Sequence, residues 1–256
     1  MASDRASATA RQLTTTVRLD LLDGFRLEVD GSRVDALASA QRLLAFLALR
    51  GPVARVVAAG TLWGDVPEEH ALGSLRTTMW RCNRTIPGLV AVDRSQLSLA
   101  GFVRVDVTEL VGGATLVLGD WNANGSIPML RRGELLPGWY EDWVIFERER
   151  IRHLRLHALE AAADRLAAHG HYAASLELAL EAVRSEPLRE SAHRAVIAVH
   201  LAEHNVAEAL REYERFRTLL VDQLGIEPSQ NLTDMVFRGN SVRRHAVPVT
   251  RPKTAG

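Results

Sequence analysis

Apolar and polar residues alternate along residues 17–34, and two turn dipeptides, Asp23-Gly24 and Asp30-Gly31, interrupt the alternation. A period of two is typical of half-buried strands, and Asp-Gly is a favoured pair in tight turns. The segment therefore predicts short antiparallel strands. Residues 1–16 before it are rich in alanine, serine and threonine and have no hydrophobic period, so we expect a disordered leader there.

Two helical patterns follow these strands. The first begins at Ser39, a residue type that caps helices, and ends before Gly51-Pro52. The second contains the apolar residues from Val56 to Trp63 and ends at Gly64. A third helical pattern comes after a short connector, and three helices with a short turn between the last two predict a helix-turn-helix arrangement.

The third helix, predicted over Leu72 to Ile86, has two chemically different faces. One face has the spacing of a buried stripe, with Leu75, Met79, Cys82 and Ile86. The other face has no carboxylate and carries Arg76, Thr77, Trp80, Arg81, Asn83 and Arg84. Arginine can pair bidentately with guanine and asparagine with adenine, and both can hold phosphate. The pattern therefore predicts a helix that enters the DNA major groove, and an ordinary solvated helix face is the alternative.

Alternation returns in the segment LVAVDRSQLSLAGFVRVDV, which has a turn at Arg94-Ser95 and another at Ala100-Gly101. A hairpin after a recognition helix is a wing. Arg94 near its tip and Arg104 on the returning strand are candidates to contact phosphate or the minor groove. Solvent-exposed surface arginines are the alternative for both positions.

Helical patterns dominate the chain after Pro137-Gly138. The first is long, and its predicted apolar side carries Trp143, Phe146, Ile151, Leu154 and Leu159. Later positions repeat at a period of 34 residues, since Tyr172, Ser175, Leu176, Ala179 and Ala182 are echoed by Val206, Ala209, Leu210, Tyr213 and Phe216. This period resembles tetratricopeptide repeats. It predicts helices over Tyr172 to Ser185, Leu188 to Glu203, Val206 to Leu224 and Ser229 to Arg238.

Length and charge restrict the classes of function. The 256 residues suffice for two modest domains, and a formal net charge of zero means that any nucleic-acid site must be local. Cys82 is the only cysteine, which excludes an intramolecular disulfide and a cysteine-based zinc site. The sequence has no apolar run long enough for a membrane span and no secretion signal, so we expect a cytoplasmic protein.

Motifs for catalysis are missing from the sequence. It has no Gly-rich phosphate loop that ends in Gly-Lys-Ser/Thr and no Gly-x-Ser-x-Gly turn. His153 and His157 are four residues apart, but no glutamate follows the first as in a zinc protease helix. We therefore predict that the protein is not an enzyme and that it has no metal or cofactor.

The combined blocks are similar to a known family. Residues 17–107 resemble a winged helix-turn-helix of the OmpR/PhoB-like kind, with Trp63-Gly64 at the end of the second helix and arginines on the third. The later blocks EPLRESAHR, NVAEALREYERFR and LGIEPS resemble the bacterial transcriptional activator domain. Over about residues 17–236 the chain resembles the Streptomyces antibiotic regulatory protein family.

The resemblance implies a transcriptional activator that regulates antibiotic biosynthesis. It would bind direct repeats in promoter DNA as a tandem dimer and recruit the RNA polymerase holoenzyme. It assigns DNA reading to the third helix and makes the loop from Gly64 to His70 a candidate contact for the sigma factor. The loop's acidic residues, Asp65, Glu68 and Glu69, suit a basic partner, and stabilising the helix dipole is their alternative role.

The sequence departs from the family at three positions of the third helix. Cys82 and Asn83 stand where members commonly have leucine and arginine, and Trp80 is unusual on a groove-facing side. Trp80 has three alternatives, which are contact with a thymine methyl group, contact with a sugar, or packing against the wing.

The predicted fold class is mainly α with small β elements. We expect a disordered leader (1–16), a winged-helix DNA-binding domain (17–111), an all-α tetratricopeptide-like activator domain (112–238) and a flexible tail (239–256). The competing hypothesis is a protein-interaction scaffold whose winged helix binds protein rather than DNA.

Overall fold

The computed structural model describes residues 16–119 and 127–244, with side chains up to residue 237. Within these limits the chain forms two compact units. The first contains the residues up to 113 together with 131–153, and the second contains 114–130 and the residues from 154 onward. The predicted leader up to residue 15 and the tail from residue 245 lie outside the described residues.

Short strands and helices alternate in the first half of the chain, and helices alone follow. The strands are β1 Val17–Asp20, β2 Arg26–Val29, β3 Ser32–Arg33, β4 Val53–Ala54, β5 Val90–Asp93, β6 Gln96–Leu99 and β7 Val103–Val105. The helices are α1 Ala38–Arg50, α2 Arg55–Leu62, α3 Glu68–Thr85, α4 Asp106–Gly119, α5 Ile127–Leu130, α6 Asp142–Ala168, α7 Tyr172–Ser185, α8 Glu190–Ala202, α9 Val206–Leu224 and α10 Gln230–Arg244. The predicted fold class, a winged helix followed by a tetratricopeptide-like bundle, is confirmed.

The first sheet has the strand order β3-β2-β1-β7. β1 and β2 are antiparallel with Val17 opposite Val29, as the alternating pattern predicted. Both predicted turns place their aspartate and glycine at positive φ, for example Asp30 at 49° and Gly31 at 78°. β7 pairs with β1 in parallel, with Val17 opposite Val103. The segment after the wing therefore returns to the N-terminal sheet.

Helices α1, α2 and α3 pack with a second sheet of strand order β4-β6-β5. Helix α1 begins earlier than predicted, because Leu37 is its N-cap and Ser39 lies inside the helix. Gln41 Nε2 instead donates to Ala36 O, 2.8 Å away, at this end of the helix. The predicted capping role of Ser39 was therefore wrong.

Residues 131–153 complete the core of the first unit. Leu135, Leu136, Trp143 and Val144 are buried in the same cluster as the helices of the winged domain. Arg148 secures this segment, because its guanidinium donates to the carbonyl oxygens of Leu135, Leu136 and Trp139 at 2.6–2.9 Å. The boundary predicted after residue 111 stays a prediction, and a fragment ending there would lack part of this core.

The apolar side predicted for α6 was wrong at Phe146, which is 71% exposed. The buried stripe passes through Trp143, Val144 and Glu147 instead. Glu147 occupies an inward position because Arg150 Nε lies 2.8 Å from its carboxylate and Arg50 Nη1 lies 3.8 Å from it. Ion pairing thus allows a charged residue to take the place expected for an aromatic one.

The second unit is built from paired helices, and its burial pattern follows the 34-residue repeat. Ser175, Ala179 and Ala182 of α7 are buried, and so are their counterparts Ala209, Tyr213 and Phe216 of α9. Small residues let α7 approach its neighbour, since Ser175 Oγ donates to Ala163 O of α6 at 2.7 Å. Helices α7 and α9 have the predicted limits. Helix α10 continues to Arg244, beyond the predicted start of the tail at residue 239.

A buried polar pair lies between α8 and α9. His193 is 2% exposed and its Nδ1 lies 2.7 Å from Glu212 Oε1, while its Nε2 lies 2.8 Å from Pro187 O. Both ring nitrogens therefore lie within hydrogen-bond distance of an oxygen atom. Phe216 stacks on the ring with centroids 4.1 Å apart. Burial raises the pKa of Glu212, but the hydrogen bond and charge of His193, together with the charges of Arg215 and His200, hold that pKa below its ordinary value.

We expect His193→Ala to lower the free energy of unfolding by about 3–5 kcal/mol, because it leaves the Glu212 carboxylate without its buried partner and removes a stacked ring. Urea unfolding followed by far-ultraviolet circular dichroism measures the change. Glu208→Gln is the matched control, since it breaks only the exposed ion pair with Arg211 on the same helix. The control should cost about 0.5 kcal/mol or less, and equal effects of both variants would contradict the assignment.

The same pair predicts a pH dependence. Because the pKa of Glu212 is lowered in the folded protein, its ionised form stabilises the fold fully above the ordinary glutamate pKa. This contribution disappears as the pH falls through the lowered value. The stability difference between the native protein and Glu212→Gln should therefore be largest near neutral pH and shrink on acidification. A difference that is constant down to about pH 2 would contradict this prediction.

Candidate nucleic-acid interface

Helix α3 is held in the first unit by one buried face. Ala71, Leu75, Thr78 and Cys82 are buried on it, and Ile86 follows directly after the helix. Met79, predicted for the same stripe, is only half-buried. This spacing of three and four residues fixes the rotation of the helix about its axis. The opposite face is thereby directed to solvent.

The outward face presents five of the predicted DNA-binding side chains together. Arg76, Thr77, Trp80, Arg81 and Arg84 are all exposed. Arg76, Trp80 and Arg84 are four residues apart and form one row along the helix, with Thr77 and Arg81 in the adjacent row. Thr77 Oγ1 also donates to Gly73 O of its own helix at 3.0 Å. These five side chains thus form one continuous surface, and their role in DNA binding stays a prediction.

The arginines of this surface lie at a distance from carboxylates. Several arginines elsewhere in the unit do pair with carboxylate, as in Arg42–Glu141 at 3.0 Å and Arg148–Glu134 at 3.1 Å. Among residues 16–119 and 127–237, no carboxylate lies within ion-pair distance of Arg76, Arg81, Arg84 or Arg94. Four guanidinium charges are therefore concentrated on a chain whose formal net charge is zero.

Trp80 is 57% exposed and is contacted by Arg84, whose Cζ lies 4.5 Å from the centre of the indole ring. This distance is within the range of a cation–π interaction. The contact orders the Arg84 guanidinium on the exposed face without neutralising its charge. None of the three predicted contacts of Trp80 includes this arrangement.

Asn83 has a role that the sequence prediction missed. Its Nδ2 donates to Val90 O at 3.0 Å, and its Oδ1 accepts from Val90 N at 2.8 Å. Both polar atoms of the amide predicted to read adenine are therefore engaged with the first wing strand, and the side chain is half-buried. This pair of bonds joins the end of α3 to the start of β5. The available signal was its position at the edge of the buried stripe, seven residues before Val90.

The wing is a tight hairpin whose position is fixed from both sides. β5 and β6 are antiparallel with Asp93 opposite Gln96, so Arg94 and Ser95 alone form the turn. β6 also pairs with β4, and Arg55 N at the start of α2 donates to Ser95 O at 3.2 Å. Arg94 lies at the tip with φ 52°. A positive φ is unfavourable for a residue with a Cβ. The tip nevertheless carries an arginine in this conformation, so a charged side chain lies there.

Arg104 does not lie on the wing. It belongs to β7, which pairs with β1 of the other sheet, and its Nε lies 3.8 Å from Glu109. The prediction that Arg104 lies on the wing was wrong, because the turn at Ala100-Gly101 directs the chain away from the hairpin and into the N-terminal sheet.

The acidic residues predicted to contact polymerase are exposed at the start of α3. Glu68 and Glu69 form the first turn of this helix, and Asp65 precedes it. The N-cap, Pro67, contributes no side-chain hydrogen bond. Both predicted roles are compatible with this position, since carboxylates at a helix N-terminus favour its dipole and remain accessible to a partner.

The remaining candidate chemistry lies away from this surface. Cys82 is buried, and burial raises the pKa of its thiol to about 11, as expected for a packed apolar residue. His153 Nε2 lies 2.7 Å from Glu149, and His157 lies 3.3 Å from Arg189. Within the part of the chain that the structure describes, no three His, Cys, Asp or Glu side chains are grouped to hold a metal ion.

Comparison with known proteins shows which domain and which proteins this chain resembles. Residues 129–236 match the family model for the bacterial transcriptional activator domain. The regulatory protein AfsR of Streptomyces coelicolor is 27% identical over 239 residues, which cover 87% of this chain. These matches support the resemblance of the chain to the Streptomyces antibiotic regulatory protein family. It spans about a quarter, 24%, of the length of AfsR.

A solved structure shares the fold of this chain. Mycobacterium tuberculosis EmbR, in complex with a low affinity phosphopeptide, superimposes with a TM-score of 0.70 at 20% identity. The match covers 89% of this chain and 66% of the EmbR chain. At this identity the likeness shows the fold. None of the helices in residues 16–119 and 127–244 has the length and apolar character needed to cross a membrane.

We expect Asn83→Ala to lower the free energy of unfolding by about 1–3 kcal/mol, because the partly buried N–H and C=O of Val90 lose their partners. Thermal unfolding of the full chain measures this effect. Thr77→Ala is the control on the same helix, since its hydroxyl bonds only to its own helix in an exposed position and should cost no more than about 0.5 kcal/mol. A loss at Asn83 no larger than at Thr77 would argue against an anchoring role.

Proposed function

We propose that the protein is a sequence-specific DNA-binding transcriptional activator that regulates secondary-metabolite biosynthesis, such as that of an antibiotic. The observation that supports this proposal most directly is the group of arginines on α3, which no carboxylate of the described residues neutralises. The match of residues 129–236 to the bacterial transcriptional activator domain supports the same function. The proposal assigns no enzymatic activity to the chain. Since bacterial promoters lie in the cytoplasm, it also implies a cytoplasmic location.

In this proposal the exposed face of α3 enters the major groove, which is about 12 Å wide and admits one helix. Arg76 and Arg81 are assigned to base edges or phosphates, and Thr77 to a base edge or a phosphate. Arg84 is assigned to phosphate, with Trp80 beneath it against sugar or a thymine methyl group. Asn83 is assigned to holding the wing, because its amide is already bonded to Val90.

The wing supplies a second contact to the same duplex. Arg94 is exposed at its tip, and the hairpin is joined to both α2 and α3. A rigid hairpin beside a recognition helix is suited to reach a phosphate or the adjacent minor groove. Arg104 has no place in this interface, since it lies on the other sheet.

The partner proposed besides DNA is the RNA polymerase holoenzyme. Asp65, Glu68 and Glu69 are exposed and provide an acidic surface for a basic segment of the sigma factor. Binding to direct repeats would set two copies side by side as a tandem dimer on DNA. This part of the proposal follows from the resemblance to the Streptomyces antibiotic regulatory protein family.

Replacing Arg76 or Arg81 by alanine should weaken DNA binding by about 1–3 kcal/mol if the side chain reads a base. If it contacts a phosphate, the slope of log affinity against log salt should become shallower by about 0.9. Fluorescence anisotropy titrations with selected DNA at several salt concentrations distinguish these outcomes. Arg104→Ala is the matched control, because it removes the same charge from the other sheet, and its DNA affinity should equal that of the native chain.

Native affinity in both Arg76→Ala and Arg81→Ala would contradict the assignment of α3. An equal loss of DNA affinity in Arg104→Ala would show that the effect comes from a nonspecific loss of positive charge.

Two substitutions of Arg94 separate its contribution to DNA binding from its effect on the stability of the fold. Arg94→Gly removes both the charge and the Cβ that is unfavourable at φ 52°, whereas Arg94→Ala removes the charge alone. Both variants should therefore lose the same DNA affinity, and the glycine variant should be more stable than the alanine variant by about 1 kcal/mol. Anisotropy and thermal unfolding provide the two readouts. Native DNA affinity in either variant would exclude the tip from the interface.

Selection of bound sequences from random DNA tests the proposal as a whole. The full chain is required, because residues 131–153 complete the core of the first unit. We expect enrichment of two copies of one motif in the same orientation, and a footprint that extends when polymerase holoenzyme is added. No enrichment, together with capture of a protein through the winged domain, would favour the interaction scaffold instead.

A further inference from the structure

A cavity of about 310 Å³ lies in the first unit beside the last turns of α3. Its apolar lining includes the buried side chains of Leu27, Leu44 and Leu89. Arg81 and Arg84 of α3 line it as well, and so does the carboxylate-bearing Asp35. The cavity therefore combines an apolar interior with two guanidinium groups and a single carboxylate.

The size and charge of this cavity select one class of ligand. Cavities that bind small molecules start at about 300 Å³ and are mostly apolar with few polar groups. Neither arginine has an ion-pair partner among the described residues, so a carboxylate can pair with them in the bidentate manner that guanidinium favours. A cationic ligand would be repelled, and a neutral one would leave these charges without a counterion.

We propose that this cavity binds an amphipathic carboxylate, with the chain in the apolar interior and the carboxylate at Arg81 and Arg84. A carboxylate at these guanidinium groups competes with phosphates or bases for the same donors. The ligand therefore weakens DNA binding, and by linkage DNA weakens ligand binding by the same factor. This second part rests on the proposed DNA-binding function, whereas the ligand site itself does not.

The test uses decanoate as the probe with the full chain, in calorimetric titrations without DNA. We expect saturable binding with a dissociation constant of about 0.1–1 mM, given the affinity that a ligand of this size reaches. Decanol and decyltrimethylammonium, which have the same chain, should bind at least about tenfold more weakly. Binding of all three with equal affinity, or no saturation by decanoate, would overturn the site.

Variants locate the site within the cavity. Arg81→Gln and Arg84→Gln should each weaken decanoate binding several-fold, and Ala36→Leu should abolish it, because Ala36 lines the cavity and the larger side chain fills it. Arg76→Gln is the matched control on the same helix, outside the lining, and should bind decanoate normally. Unchanged binding in both Arg81→Gln and Ala36→Leu, with thermal unfolding confirming the fold, would refute the location.

The regulatory part is tested by DNA titrations with and without saturating decanoate. DNA affinity should fall about tenfold or more in the native chain, which corresponds to the loss of one arginine contact, and should not change in Ala36→Leu. Equal DNA affinity with decanoate bound would overturn the competition. If the chain binds no DNA in either condition, the proposed function and the competition fail together, and the calorimetric titrations alone decide the ligand site.

Discussion

The burial of one face of α3 is the constraint on which the rest of the interface depends. Leu75 and Cys82 are 1% and 4% exposed, and this seating leaves the helix a single orientation relative to solvent. The two bonds from Asn83 to Val90 then fix the wing to the end of that helix. Recognition helix and wing tip are thus presented as one preformed surface, which limits the ordering cost of binding.

The positive charge available to DNA on this chain is local. A chain with equal numbers of acidic and basic residues has no global attraction for DNA. Arg42, Arg148 and Arg150 of the first unit are paired with carboxylates and contribute to packing. The arginines of α3 and the wing tip have no such partner among the described residues, so their charge is available to a polyanion. The α3 face and the wing tip thus carry positive charge of their own on a protein with no net charge.

Periodicity predicted much of the fold. The strands of residues 17–34, the stripe of α3 and the limits of α7 and α9 follow from spacing, because burial imposes a period of two or of about 3.6 residues. Features set by side-chain pairing in space were not predictable this way. Periodicity indicates that Asn83 is at the edge of a stripe but cannot show that its partner is Val90.

Phe146 and Arg104 illustrate the same limit. Hydrophobicity alone placed Phe146 inside, while ion pairs with Arg50 and Arg150 allow Glu147 to take the inward position. Arg104 appeared to continue a hairpin, since strand alternation does not reveal that β7 pairs with the distant β1. The most direct test of the central claim is to follow the Nε–Hε resonances of the arginines by NMR while selected DNA is added. We predict resonance shifts for Arg76, Arg81, Arg84 and Arg94 but not for Arg104. Shifts confined to arginines of the repeat helices would contradict the claim that α3 and the wing tip bind DNA.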